Sequence, residues 1–373
     1  MNHQIALTGK DISSVYQAIK EFGPDCVHLL YTIETEDVLA FMYPLLPEVI
    51  RCYTYLVEPY DAQSVVEVCR GIHREFQGEF AYNLSEGTKL MAFAANSVAI
   101  EKQANAFYLT QQGEVVFLSD FEKIPLRTRL SNEEIIQLSG NVISGYHDGK
   151  DLKEEDIQMS RQIKHFIERY RQEHTRIQRY FSLYCGRHLD RLPSSHSFPD
   201  HLAFKQRDGG LLVTLDEQVV LELPYADGCH LYFEGRWWET LVAEKVRSWS
   251  EHKADAPEVW QSVLFQPERG DSTKTKNEVD ILLNDEQKLI FIECKSGQVV
   301  QGDIYKIDAV RETYGGDISQ AVLASYYPVD DELLEKCKDL QIHVFAPSSF
   351  FDRIGYIDTL PGWLDHIYSK SVI

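Results

Sequence analysis

Two charged residues set into an apolar segment are the strongest chemical feature of the chain. Residues 288–295 read as a strand that is apolar apart from its ends and Glu293. Successive side chains of a strand point to opposite faces, so Glu293 and Lys295 project to the same side. The run from 289 to 292 is apolar on both faces, which predicts a central, buried strand. Charges in such a place usually serve a function or are paired.

A second strand precedes this one and brings in a further carboxylate. Residues 278–283 are separated from it by a polar stretch that is typical of a hairpin turn. If the hairpin folds about Asp285 and Glu286, Asp280 lies opposite Phe291, on the face that carries the acid and the lysine. The hairpin therefore predicts two carboxylates and one ammonium group in a single cluster.

Such a cluster suits metal-assisted chemistry. The carboxylates of Asp280 and Glu293, with a backbone carbonyl such as that of Cys294, make an oxygen-rich site for Mg²⁺ or Mn²⁺. A divalent ion bound there activates water and neutralises charge on a phosphoryl oxygen. Lys295 could orient the water, accept a proton if its pKa is lowered, or stabilise the charged transition state. The alternative is an exposed hairpin with ordinary ion pairs.

The residue order resembles a known nuclease signature. Asp280 followed by Glu293-Cys294-Lys295 resembles the PD-(D/E)xK pattern, with Val279 in the place of its proline. The resemblance implies that Asp280 and Glu293 are metal ligands and that Lys295 is the catalytic lysine.

A helix is predicted before the hairpin, starting after Gly235. Nucleases of this class often carry a helical glutamate that adds to the metal site. Both Glu239 and Glu244 qualify, and Glu239 is preferred; a solvated carboxylate on the helix surface is the alternative.

The segment after the hairpin continues as an α/β unit. A helix is predicted over 303–311 and is closed by Gly315-Gly316. On it, Lys306 and Arg311 could contact substrate phosphates, or could be plain surface charges. A strand, a helix and a strand are then predicted over 318–326, 331–338 and 341–345.

The N-terminal part alternates short strands with helices. This alternation predicts a parallel, Rossmann-like sheet that binds ligands at the carboxyl ends of its strands. The predicted strands are 4–7, 27–32, 52–57 and 80–84, and the predicted helices are 13–21, 36–46 and 62–76.

The turn after the fourth strand offers hydroxyl groups, a glycine, free helix amides and a lysine, which together suit a phosphate. A turn with N-capping Ser and Thr is the other interpretation. The stretch from Asn83 to Lys89 resembles the Asn-x-Thr-x-Gly-Thr-Lys signature of CARF domains, with Ser85 in the place of Thr. CARF domains are the CRISPR-associated Rossmann-fold sensors of cyclic oligoadenylates.

The order of the two motifs resembles the cyclic-tetra-adenylate-activated effector nucleases of type III CRISPR systems. That resemblance implies a homodimer with the activator bound between two CARF domains, and a nuclease that is silent until it binds. The ligand-binding positions implied by the match, with Tyr31 and Thr32 less firmly placed than the rest, are Thr8, Gly9, Lys10, Asp11, Tyr31, Thr32, Asn83, Ser85, Glu86, Gly87, Thr88 and Lys89.

Composition sets bounds on these hypotheses. The 373 residues are enough for two cores, and 37 Lys and Arg against 58 Asp and Glu give a net charge of −21. An acidic protein needs a locally basic substrate channel. The basic stretch 161–191, with interleaved aromatic residues, could stack unpaired bases or could be a solvated connecting helix.

Cysteine and hydropathy patterns indicate the compartment. The seven cysteines are scattered and form no Cys-x-x-Cys pair, which argues for reduced thiols in a cytoplasm and against a zinc site. No signal peptide and no apolar run of membrane-spanning length is apparent, so we expect no membrane association.

The sequence therefore predicts an α/β protein in three parts. Residues 1–145 are a Rossmann-like CARF domain with a parallel sheet. Residues 146–230 are a helical connector and the start of the nuclease domain. Residues 231–373 are a restriction-endonuclease-like core with a mixed sheet.

The predicted function is a metal-dependent endonuclease of antiviral CRISPR defence. The resemblance implies that it cleaves single-stranded RNA and DNA or nicks duplex DNA when cyclic tetra-adenylate binds. The alternatives are a constitutive PD-(D/E)xK DNA endonuclease and a non-catalytic nucleotide-sensing regulator.

Overall fold

The computed structural model describes residues 2–110, 112–253, 256–266, 277–284, 289–315 and 319–370. Strands in these ranges form three sheets. No helix within them is both long enough and apolar enough to span a bilayer.

The first sheet is parallel from β3 to β5 and antiparallel at its far edge, in the order β3-β2-β1-β4-β5-β6-β7. Its strands are β1 (Asn2–Leu7), β2 (Cys26–Tyr31), β3 (Arg51–Leu56), β4 (Glu79–Asn83), β5 (Asn105–Leu109), β6 (Glu114–Phe117) and β7 (Lys123–Pro125). The crossover helices are α1 (Ser13–Phe22), α2 (Glu36–Met42), α3 (Ala62–Glu75) and α4 (Lys89–Lys102). The predicted Rossmann-like parallel sheet is confirmed, and the antiparallel edge is an addition to it. Helix α2 ends before its predicted end because Pro44 enters a 3-10 turn.

The middle of the chain holds helices and a small antiparallel sheet of order β12-β11-β10-β9. The elements are α5 (Asn132–Leu138), β8 (Val142–Asp148), α6 (Glu154–Arg169), α7 (Arg171–Tyr184), β9 (Ser195–Ser197), β10 (Leu202–Arg207), β11 (Gly210–Leu215) and β12 (Gln218–Leu223). Strands at 211–214 and 219–223 were expected from the sequence. The helical segment expected over 154–184 is two helices that meet at Tyr170.

The third sheet is mixed and has the order β17-β16-β15-β14-β13-β8. Its further elements are α8 (Gly228–Phe233), α9 (Arg236–Glu251), β13 (Glu258–Gln266), β14 (Asn277–Asn284), β15 (Leu289–Lys295), α10 (Gln301–Gly315), β16 (Gln320–Ser325), α11 (Asp331–Asp339), β17 (Ile342–Phe345) and α12 (Leu360–Lys370). The mixed sheet predicted for this part is confirmed. Residue 145, where the first predicted domain ends, lies inside β8, and β8 pairs with β13 of this sheet.

Strand β15 is buried on both faces, as its composition predicted. Ile290 and Ile292 belong to a core shared with Trp238 of α9. On the opposite face, Phe291 packs in a core with Val310 of α10. Because side chains alternate along the strand, Glu293 and Lys295 lie on the α10 side.

A buried histidine pair crosses the first sheet near the amino ends of its strands. His3 and His28 are stacked, with His3 Nδ1 and His28 Nε2 at 2.9 Å, and His28 Nδ1 lies 3.1 Å from Tyr55 Oη. His28 is 0% exposed. Burial, and then the neighbouring His3 and His73, lower the pKa of His28 to about 4.

This pair predicts acid sensitivity of the fold. His28 is neutral when folded but takes a proton below pH 6.5 when unfolded, so stability falls as pH drops from 6.5 towards 4. Between pH 7 and pH 5 the loss due to His28 is roughly 2 kcal/mol. Denaturant titrations at both pH values should show a smaller loss for His28→Gln than for the wild type. An exposed-site control, His147→Gln, should behave as the wild type; equal losses in all three proteins would contradict the assignment.

Candidate functional site

The pairing of β14 with β15 corrects the predicted register. Ile281 pairs with Ile292 and Leu282 with Phe291, so the prediction that Asp280 opposes Phe291 is wrong. The turn assumed at 285–286 lies outside the described residues. A shift of the register by two residues preserves the face of every side chain, which is why the cluster still forms. Asp280 Oδ2 accepts a hydrogen bond of 2.6 Å from the Cys294 amide.

Glu293 is the centre of the charge cluster. Glu293 is buried, with 4% of its surface exposed. Its Oε1 accepts a hydrogen bond of 2.9 Å from Lys295 Nζ and one of 3.0 Å from Lys306 Nζ. Lys306 comes from α10, one turn after Asp303. The sequence placed both lysines near catalysis, and the structure brings both onto one carboxylate oxygen.

Asp303 is a site residue that the sequence analysis did not single out. Its Oδ1 lies 3.2 Å from Lys295 Nζ, and its Oδ2 accepts from the Val300 amide at 2.9 Å. Burial opposes the charged form of Lys295, but Glu293 and Asp303 outweigh it and raise the lysine pKa above its ordinary value. Lys295 is therefore an ammonium group, and the role of proton acceptor through a lowered pKa is not supported.

Crowded carboxylates surround this ammonium group. Burial, followed by the charges of Glu239 and Glu293, raises the pKa of Asp280 well above its usual range. Burial also raises the pKa of Glu239 to about 7, and Glu278 and Glu293 add to that effect. A cation bound among these carboxylates would stabilise their ionised forms and remove the repulsion between them.

The two candidate helical glutamates separate clearly. Glu239 interacts electrostatically with Glu293 and Lys295. Glu244 instead forms an ion pair with Arg161 of α6, with 2.8 Å between Glu244 Oε1 and Arg161 Nη2. Of the two, Glu239 is the one beside the cluster. Arg311, proposed as a phosphate contact, is held by Asp308 at 2.7 Å.

The donor set fits a hard divalent cation. Asp280 and Glu293 offer carboxylate oxygens whose negative charges repel each other, and Mg²⁺ or Mn²⁺ prefers oxygen ligands. Over the described parts of the chain, no three His, Cys, Asp or Glu side chains already stand as a ready-made ligand set. A metal there would be held by these two carboxylates, with the Cys294 carbonyl as a proposed third ligand.

A cavity of about 850 Å³ opens beside the cluster. Its lining includes Glu239, Lys295 and Asp303 of the charge cluster. The lining also includes His174, Gln178 and Arg187 from the basic stretch and Tyr327, which follows β16. The cavity thus joins the candidate catalytic residues to part of the predicted nucleic-acid-binding segment.

The remaining basic stretch is largely engaged within the protein. Arg161 pairs with Glu244, Lys164 with Glu168 at 2.9 Å, and Arg176 with Asp200 at 3.0 Å. Phe181 is buried in the core. These three basic residues and Phe181 therefore contribute to the structure of the connector.

The two predicted ligand loops lie side by side. They follow β1 and β4, which are parallel neighbours with Ala6 paired to Asn83. Ser14 Oγ donates to Glu86 Oε1 at 2.9 Å and joins the second loop to α1. The Glu86 carboxylate lies against Gly9, where a Cβ atom would collide with it unless the glutamate side chain moved.

Several predicted ligand residues are used to build these loops. Thr8 and Thr32 are buried and both contact Thr35 Oγ1, at 3.0 and 3.4 Å. Asn83 is buried and its Oδ1 accepts from the Ser85 amide at 3.0 Å. Their side chains hold the loop shape.

The rim of the loops carries the groups that remain for a ligand. Thr88 caps α4 by accepting from the Met91 amide at 3.1 Å. Gly87, with φ +80°, lets the chain pass close to Leu7. Lys10, Asp11 and Lys89 are exposed, and Tyr31 is half-buried.

The segment that holds the charge cluster matches a known family. Residues 229–356 match the family described as Card1-like, endonuclease domain. The nuclease resemblance stated from the sequence is confirmed by this match. No curated protein matches the chain in sequence.

Solved structures share the fold along the whole chain. Can2 from Sulfobacillus thermosulfidooxidans, in complex with cyclic tetra-adenylate, aligns with a TM-score of 0.73 and 17% identity over 98% of this chain and 99% of that one. Protein VC1899 from Vibrio cholerae aligns with a TM-score of 0.73 and 13% identity over 100% and 98%. A type III CRISPR defence DNA nuclease activated by cyclic oligoadenylate aligns with a TM-score of 0.55 and 18% identity over 88% of this chain and 46% of that one. The predicted fold is confirmed.

The carboxylate crowding around Glu293 predicts that these residues lower the stability of the protein when no cation is bound. Asp280→Asn keeps an acceptor for the Cys294 amide and removes one negative charge beside Glu239 and Glu293. In EDTA we expect the variant to be more stable than the wild type by roughly 1 kcal/mol. The free energy of unfolding should be measured by denaturant titration.

The matched control is Asp308→Asn, which breaks an ion pair with Arg311 and should not stabilise the protein. Added Mg²⁺ should reduce the difference in the free energy of unfolding between Asp280→Asn and the wild type, because the ion stabilises the wild type more. A less stable Asp280→Asn protein in EDTA would contradict the repulsion argument.

Proposed function

We propose that the chain is a metal-dependent endonuclease that hydrolyses phosphodiester bonds and is activated by cyclic tetra-adenylate. The observation that carries the proposal is the placement of Asp280, Glu293 and Lys295 in one buried cluster within the segment that matches the endonuclease family. The substrates proposed are single-stranded RNA and DNA, or duplex DNA that is nicked.

The proposed chemistry divides the roles among these residues. A bound Mg²⁺ or Mn²⁺ would lower the pKa of a coordinated water and neutralise charge on the phosphate. Asp280 and Glu293 would hold the ion. Lys295, which stays protonated beside Glu293 and Asp303, would stabilise negative charge as water attacks phosphorus and the bond to a sugar oxygen breaks.

Glu239 and Lys306 support the same step in this proposal. Glu239, with its pKa near 7, lies in the wall of the cavity and within the field of the cluster. Lys306 shares the Glu293 oxygen with Lys295 and keeps that carboxylate oriented. An orienting role for Lys306 follows from this shared contact.

The proposed activator site is formed by the loops after β1 and β4. Exposed Lys10 and Lys89 would attract phosphates, and a helix N-terminus such as that of α4, which begins at Lys89, favours an anion. Can2, which shares the fold, is described in complex with cyclic tetra-adenylate. That likeness supports the proposed ligand.

The proposed homodimer is supported by α4. One side of this helix packs in the core through residues such as Val98, while Phe93 and Ile100 on another side are 72% and 70% exposed. A helix that is apolar all round normally has neighbours on every side. A second copy of the chain would cover this face beside the ligand loops.

The proposed setting is antiviral CRISPR defence in the cytoplasm. The scattered spacing of the seven cysteines, with no Cys-x-x-Cys pair, supports a reducing compartment.

The activity and its control can be tested together. Labelled single-stranded RNA, single-stranded DNA and supercoiled plasmid should be incubated with Mg²⁺ or Mn²⁺, with and without cyclic tetra-adenylate. Cleavage only with the activator would support the proposal, and full cleavage without it would favour a constitutive nuclease. Absence of cleavage on all substrates would favour a non-catalytic regulator.

Loss of the lysine should separate catalysis from ligand binding. Lys295→Ala and Glu293→Ala should each reduce cleavage by at least about a hundredfold. The first removes the cation that would stabilise negative charge on the phosphate, and the second removes a ligand of the proposed metal ion. Calorimetry should find the affinity for cyclic tetra-adenylate unchanged. Lys205→Ala, an exposed lysine of β10, is the control. Cleavage that survives both site variants would show that the active site lies elsewhere.

Glu86 should make activator binding depend on pH. Burial, and then the charge of Asp11, raise the pKa of Glu86 to about 7, against the opposing hydrogen bond from Ser14. Below pH 7 the side chain is neutral, whereas above it a negative charge repels a polyanionic ligand. We expect affinity to weaken about tenfold from pH 6 to pH 8, equivalent to about 1.4 kcal/mol.

Titration calorimetry at both pH values measures this change. Glu86→Gln should flatten the profile, and Glu67→Gln on the exposed side of α3 should not. A wild-type affinity that strengthens with rising pH would exclude this role for Glu86.

A further inference from the structure

A buried arginine lies in the loop that follows β17. Arg353 is 5% exposed, and its Nη1 has no hydrogen-bond partner in the part of the chain that the structure describes. Across the described residues, no carboxylate pairs with it. Its guanidinium carbon lies 3.6 Å from the centroid of the Phe350 ring. Buried charges are normally paired, so this one is incomplete without an anion.

A second arginine lies on the same ring. The guanidinium carbon of Arg171, the first residue of α7, is 3.5 Å from the Phe350 centroid. Two guanidinium groups at these distances cannot share one face, so they sandwich the ring. Arg171 is exposed and, within the described chain, makes no ion pair. Two like charges held on one aromatic ring point to a missing negative group.

The pair lies on the same edge of the sheet as the catalytic cluster. Strands β15, β16 and β17 are parallel neighbours, and the residues after their carboxyl ends include Tyr327 and Arg353. Arg353 lies 5.8 Å from the Tyr327 ring, and Tyr327 lines the cavity that also contains Lys295. Arg353 also lowers the pKa of His174 on the cavity wall, after the larger effect of burial. Its positive field therefore reaches the cavity.

The neighbouring surface suits a nucleotide. Phe351, next in the chain after the sandwiched ring, is 86% exposed. Exposed aromatic side chains beside positive charge are typical of sites that stack unpaired bases and hold the backbone.

We propose that Arg171 and Arg353 form a phosphate-binding subsite for a nucleotide flanking the bond that is cleaved. Arg171 contacts the phosphate from the surface. Arg353 supplies fixed positive charge from behind Phe350. This inference rests on the proposed nuclease function, because its ligand is the substrate strand.

The test measures binding of a fluorescein-labelled single-stranded oligonucleotide by anisotropy, in EDTA, with the full chain. Because Arg171→Met removes one cation from a phosphate, the slope of log affinity against log salt should become shallower by about 0.7. In a set of oligonucleotides, each has one phosphate replaced by a neutral methylphosphonate, at a different position in each. At one position near the cleaved bond, the replacement should weaken binding to the wild type about tenfold and leave binding to Arg171→Met unchanged. Arg353→Met should weaken binding in the same position-dependent way.

The control is Arg207→Met, an exposed arginine of β10. It should keep the wild-type salt slope and the wild-type methylphosphonate profile. Under cleavage conditions Arg171→Met should raise KM with kcat little changed. The thermal midpoint of Arg171→Met should match that of the wild type, because the Arg171 side chain is exposed.

Two results would overturn the inference. One is a methylphosphonate profile that is identical in the wild type and in Arg171→Met. The other is competition by millimolar inorganic phosphate that abolishes the difference, which would indicate a site for free phosphate. If the wild type cleaves nucleic acid but gives either of these results, only the subsite is excluded and the nuclease proposal stands. If the wild type cleaves no substrate, the nuclease proposal itself is overturned, and the subsite with it.

Discussion

The buried carboxylate of Glu293 constrains the nuclease half of the molecule. It lies in a strand that is otherwise apolar and covered on both faces, where an uncompensated charge costs about 3–5 kcal/mol. Lys295 offsets it from the same strand, and Lys306 offsets it from α10. Both the strand that carries Lys295 and the helix that carries Lys306 must therefore be placed so that their lysines reach the Glu293 carboxylate. The apolar contacts of α10, such as Ile304 and Val310, hold the helix in place, and Lys306 adds this ion pair to them.

The same cluster leaves negative charge in excess. Lys295 is shared between Glu293 and Asp303, while Asp280 and Glu239 have raised pKa values because burial and neighbouring carboxylates oppose their ionisation. A fold selected only for stability would not gather these groups. Their presence is the physical reason for regarding the site as a cation site, since a bound cation removes the repulsion that the apo fold carries.

Sequence reasoning predicted the strand face of each candidate catalytic residue but not the register of the strand pairing. Alternation along a strand has a period of two, so Asp280, Glu293 and Lys295 could be placed together without knowing the turn. The exact partner of Phe291 depends on turn length, and the predicted partner was wrong by two residues. Asp303 escaped notice because an acid in the first turn of a helix is usually explained by the helix dipole.

Features that depend on distant segments were beyond local patterns. The Arg353 sandwich needs α7 and the loop after β17, which are far apart in the chain. Strand β8 pairs with β13 across more than a hundred residues, so composition alone could not assign it to the third sheet. Local periodicity identifies elements, whereas their neighbours are set by the global fold.

Helix α5 joins the two functional halves through its side chains. Leu138 packs into the core beneath the first sheet, whereas Ile136 packs into the core of the third. Glu134 accepts a 2.8 Å ion pair from Lys20 of α1, and the Asn132 amide donates to Glu258 of β13. A ligand at the loops beside α1 changes the nuclease only if its affinity differs between two arrangements of such contacts. Because α5 is bound into both cores, it is a continuous packed connection between α1 and β13, and two arrangements of its contacts would give the ligand such a differential affinity.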